Sequence, residues 1–178
     1  DYYSNSNNNK EGTLSFDITN TSSTSGYLTA IAFYLPDNHP FTDVSLDSQS
    51  NFALFGDLNG GNISAPPWGP YDLGASVTGS WLAGGGTLNG LAKDTSASID
   101  FIFSGNDLSG IETNDFINNS NSPLLAVRFR RMGSDQEGSA KVGGYINSIP
   151  EPSSVLLFAS SLIGLAALGR KKYKKVFD

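Results

Sequence analysis

His39 is the one imidazole in the chain and stands in PDNHPF, between Asn38 and Pro40. A general base or a nitrogen metal ligand would have to be built on it. No G-x-S-x-G elbow accompanies it, and its neighbours make it read as a solvent-exposed turn residue. Asp57 and Asn59 in GDLNGGN have the alternate spacing of a calcium loop. An EF-type loop counted from Asp57 would need Gly at its sixth place and Glu at its twelfth. Those places hold Asn62 and Trp68, so the motif fails and a Gly–Asn turn remains. The expectation is no metal and no cofactor. Trp68 and Tyr71 in PPWGPY, with Trp81 assisting, form the candidate glycan platform. Aromatic faces receive sugar rings, and prolines lower the ordering cost of such a loop. The competing reading packs Trp68 back onto the domain edge.

Arg128, Arg130 and Arg131 fall in VRFRRM, where positions 128 and 130 share one strand face. Their expected partners are Asp135, Glu137 or Asp100, with an acidic polysaccharide as the alternative. Paired carboxylates for glycoside hydrolysis would need a defined separation across a cleft. Most acids here instead neighbour Asn, Ser or Gly, as solvated turn residues do. NTS (20–22), NIS (62–64) and NNS (118–120) fit the N-glycosylation pattern, as chance provides in an Asn/Ser-rich chain. The body reads as non-enzymatic.

The far end of the chain is different. Pro150, Glu151 and Pro152 precede a charge-free run, 153–169, and then Arg170, Lys171, Lys172, Lys174 and Lys175. As a helix, that run would extend about 25 Å, a short transmembrane span for a bilayer core roughly 30 Å thick. Lysines that snorkel outward would help it. The five bases act as a stop and stay cytoplasmic. The two prolines cannot lie inside a helix, so they mark an extended, exposed site beside the membrane. Residues 1–152 hold 16 acids and 6 bases, net −10, whereas 153–178 hold five bases and one acid, net +4. An acidic body argues against nucleic acid. The chain has no cysteine, which excludes disulfides and thiolate chemistry.

This order of PEP, short apolar helix and basic cluster resembles the PEP-CTERM sorting signal. FSGNDLSGIETNDFINNSNSPLLAVRFRRMGSDQEGSAKVGG, in which GSAKVGG is Gly138–Gly144, and FYLPDN (33–38) are similar to the body of one common subgroup. The resemblance implies an exosortase partner in the inner membrane of Gram-negative bacteria. The precursor would sit in that membrane and the product at the cell surface or outside it, commonly alongside exopolysaccharide. It also implies a signal peptide; the chain starts at Asp1 without one and reads as a processed form or a fragment.

The elements that must carry these residues follow from periodicity. Leu14, Phe16 and Ile18 alternate with polar neighbours, as do Ala97, Ile99, Phe101 and Phe103, the pattern of half-buried strands. YLTAIAFYLP is apolar on both faces and reads as a central strand. Phe41–Leu46, Phe52–Leu58, Ser76–Trp81, LLAVRFRRM (124–132) and KVGGYI (141–146) are further strands, and TNDFINN (113–119) a helical turn capped by Thr113 or Asn114. Residues 1–11 read as a disordered polar start and 59–74 as a loop. The expected fold is all-β: an antiparallel β-sandwich over 12–148, immunoglobulin-like or jelly-roll-like, followed by a single C-terminal hydrophobic helix within a sorting segment, 149–178.

Overall fold

The computed structural model describes residues 1–5, 9–47, 51–60, 63–82, 90–117, 123–133, 135 and 137–145. Contacts separate Asp1–Ile146 from Asn147–Asp178, and every element among the described residues belongs to the first unit. The Pro150–Pro152 motif, the expected helix at 153–169 and the basic cluster lie outside the described residues. Among the described residues, no helix is long and apolar enough to cross a membrane.

The strands are β1 (Tyr2–Ser4), β2 (Glu11–Thr19), β3 (Tyr27–Phe33), β4 (Phe41–Leu46), β5 (Ala53–Gly56), β6 (Ile63–Ala65), β7 (Trp68–Tyr71), β8 (Leu73–Ser76), β9 (Leu91–Ala92), β10 (Ser96–Gly105), β11 (Leu125–Met132) and β12 (Gly138–Gly144). One helical turn, α1, covers Thr113–Ile117. A four-stranded sheet runs β1-β2-β10-β4, and a second runs β12-β11-β3-β8-β5 with β9 also on β3; β6 and β7 pair separately. All pairings are antiparallel.

The alternating strands supply the first core. Leu14, Ile99, Phe101 and Phe103 of one sheet share a buried cluster with Ile31, Phe33 and Ala75 of the other. Phe33 meets the edge of Phe101 with ring centroids 4.8 Å apart and lies tilted against Phe16 with centroids 5.0 Å apart. Such ring contacts add to the large apolar area each ring removes from water. β3 lies at the middle of its sheet, and its other face is also buried. Ala30 and Ala32, with Ala126 of β11, lie under Ile63, Ala65, Tyr71 and Trp81 in a second cluster. Small alanines on that face let the β6–β7 ribbon approach closely.

Four expectations about the elements are corrected. The polar start is not frayed throughout. Tyr2 pairs with Leu14, packs on Phe116 at 5.4 Å, and donates its backbone N–H to Thr113 Oγ1 at 2.8 Å. One buried aromatic thus anchors β1 despite its Asn-rich neighbours. The loop at 59–74 contains β6, β7 and the start of β8. Its prolines mask this because Pro removes a ladder donor, but β7 is the edge of a two-stranded ribbon and Pro70 is exposed there. The strand expected at Ser76–Trp81 is shifted to Leu73–Ser76; a turn follows, in which Ser76 Oγ accepts from the N–H of Thr78 at 3.3 Å and of Ser80 at 2.8 Å. In α1 the cap also differs: Asp115 Oδ2 accepts from Glu112 N at 2.8 Å, while Thr113 Oγ1 is engaged with β1.

Candidate functional site

The candidate aromatics Trp68, Tyr71 and Trp81 meet over Ala30, Ala32 and Ala126 on the outer face of the six-stranded sheet, but not as a platform. Tyr71 is fully buried. Its hydroxyl donates to the carbonyl of Pro123 at 3.0 Å, and its ring lies 4.4 Å from that of Tyr34. Burial first, then the neighbouring Tyr34 and Tyr145, push its phenol well above the ordinary range. Trp68 is half-buried against the same cluster, and Trp81 is buried in it. The aromatic trio is therefore a wall of the second core. Tyr71 has no face to offer a sugar, because the apolar ring gains more from burial than from solvent.

Beside this wall lies an open groove of about 480 Å³, lined by Phe55, Gly56, Asp57, Ser64, Ser80 and Trp81. Gly56 adopts a φ of 90° and sits against the Asp72 backbone, a position no side chain could share. The sequence signal for the groove was split between the DLNGGN turn and the Ser76–Trp81 segment, which only the β5–β8 pairing brings together.

The arginines depart most from expectation. Arg128 is 8% exposed and its Nη1 donates to the Trp81 carbonyl. Burial first, then the charge of Arg130, hold its guanidinium below the usual range. Two of the three expected carboxylates are engaged elsewhere. Asp100 accepts from Ser15 at 2.5 Å and Ser98 at 2.8 Å on the other sheet, and Asp135 accepts from the Glu137 N–H at 3.3 Å. A polysaccharide cannot reach Arg128 beneath Trp81. Arg131 is exposed at the bulge between Arg130 and Met132, with a φ of 53°.

His39 is half-buried rather than fully exposed: it stacks on Phe41 at 4.9 Å, and its Nε2 lies 3.1 Å from the Leu58 carbonyl. A carbonyl only accepts, so Nε2 carries the hydrogen. Asp57 Oδ1 accepts from the Asn59 N–H at 2.8 Å, the geometry of an Asx turn. Among the described residues, no three His, Cys, Asp or Glu side chains converge as a metal site would require. Asn20, first of the three glycosylation patterns, is buried, and its amide donates to Gly26 O and Leu91 O at 3.0 and 2.9 Å. Asn62 and Asn118–Ser120 lie outside the described residues.

No curated protein and no solved structure matches this chain. Residues 148–172 match the family model described as the PEP-CTERM protein-sorting motif. That stretch contains Pro150, Glu151 and Pro152, the apolar run, and Arg170 to Lys172. The motif marks a membrane-anchored precursor that an exosortase processes and that is then exported. Residues 148–172 of the chain thus carry the PEP-CTERM protein-sorting motif.

Proposed function

We propose that the protein is a non-enzymatic component of the cell surface or extracellular matrix, associated with exopolysaccharide, and that its β-sandwich body is the delivered cargo. The observation that carries this reading is the sorting motif at 148–172. The committed side chains of the body support it: His39 faces a backbone carbonyl, and Asp57, Asp72 and Asp115 accept from backbone N–H groups. In this reading Pro150, Glu151 and Pro152 are the recognition peptide, 153–169 is a transmembrane helix that holds it at the membrane, and the bases from Arg170 to Lys175 set its orientation. Replacing Pro150, Glu151 and Pro152 together with alanine leaves full-length protein in the inner membrane. Normal release of that variant would overturn the reading.

A second reading, glycan binding by the body, is favoured by the groove next to Trp81. Its floor is partly apolar and its rim carries Asp57, Ser64 and Ser80, the mixture that sugar recognition uses. Ser64 is exposed, so Ser64→Trp fills the groove without disturbing the core. Affinity electrophoresis against the producing cell's own exopolysaccharide then loses its retardation; unchanged retardation would rule the groove out.

A further inference from the structure

Behind Trp81, a cavity of about 10 Å³ is lined by Thr29, Thr78, Ser80, Trp81, Arg128 and Arg130. The space admits one atom of about water size. At this cavity β3 carries an extra residue opposite Arg128 and Phe129: Ala30 pairs with Arg128 and Leu28 with Phe129, leaving Thr29 between them. Thr29 Oγ1 donates to the Arg128 carbonyl at 3.3 Å, which fixes the bulge.

The chemistry of the lining is one-sided. Arg128 Nε, Arg130 Nε and Trp81 Nε1 are all buried and lack a hydrogen-bond partner. All three are donors and none can accept. The charge Arg128 feels is that of Arg130, of the same sign. The buried guanidinium of Arg128, with the like charge of the half-buried Arg130 beside it, is costly without a counter-charge. A water molecule offers two lone pairs to three donors and no charge. A small anion accepts from all three and cancels the repulsion.

We propose that Arg128, Arg130 and Trp81 hold a single monatomic anion of chloride size in this cavity. The ion ties β11 to the segment that covers the outer face of β3. Its size excludes the carboxylate or sulfate group of a polysaccharide, so the proposal rests neither on glycan binding in the neighbouring groove, with which it shares Ser80 and Trp81, nor on the sorting reading.

The test uses the full chain in detergent, with sodium chloride, bromide or fluoride exchanged at constant ionic strength. Tm rises saturably with chloride and with bromide but not with fluoride, as mass action on a folded-state site requires. Arg130→Gln removes one charge and one donor while leaving the Arg128–Trp81 bond in place, and it abolishes that halide dependence. A bromide-soaked crystal gives an anomalous peak beside Arg128 and Arg130. A Tm that follows ionic strength alone, or a bromide peak with no accompanying change in Tm, would overturn the proposal. So would a cavity that holds water in the presence of bromide.

Discussion

Tyr71 ties two layers of the body together through a single oxygen. Its ring fills the second core and its hydroxyl meets the carbonyl of the fully buried Pro123. Tyr71→Phe keeps the ring and strands that carbonyl, so it destabilises by about 1–3 kcal/mol; the urea midpoint reads this directly. The same burial has a pH consequence. Tyr2, Tyr34 and Tyr71 all have phenol pKa values raised in the folded chain, each mainly by desolvation. Above about pH 10 the unfolded chain releases these protons first. The folded state then binds more protons than the unfolded one, and stability falls as pH rises. Alkaline unfolding curves display this fall, and Tyr71→Phe makes it shallower. A curve that is flat from pH 9 to 11 would count against buried, neutral phenols.

At the scale of elements, the two sheets depend on the phenylalanines that face each other across the first core. Phe101 is fully buried between Phe16 and Phe33. Phe101→Ala therefore costs about 3–5 kcal/mol, and denaturant titration shows it as a large loss in midpoint. Gly56→Ala places a Cβ against the Asp72 backbone at a φ of 90°. It destabilises by about 1–3 kcal/mol, and the β5–β8 amides lose hydrogen-exchange protection first. The strands with strict alternation were legible: β2 and β10 stand where period two places them, β4 spans the expected Phe41–Leu46, and both faces of β3 are covered as its doubly apolar run requires. What sequence hid were elements whose stability comes from one distant partner. β1 rests on Phe116 and Thr113, and the β6–β7 ribbon rests on the alanine face of β3 and β11. Arg128 was misread for the same reason: nothing within VRFRRM announces that Trp81 will close over it.

Across the whole molecule, charge and hydropathy divide the chain into two parts. Residues 1–152 carry a net charge of −10 and 153–178 a net charge of +4. The body's candidate sites needed three dimensions to judge, because they are assembled from segments far apart in sequence. The sorting motif did not, because an enzyme reads it as a contiguous peptide, and residues 148–172 match it as such. The measurement that tests this division most directly is the intact mass of the protein from the cell envelope and from the surrounding matrix. A full-length species in the envelope and a matrix species ending near Pro152, without the basic segment, is the predicted result. A matrix species that still carries Arg170 to Lys175 would contradict the account.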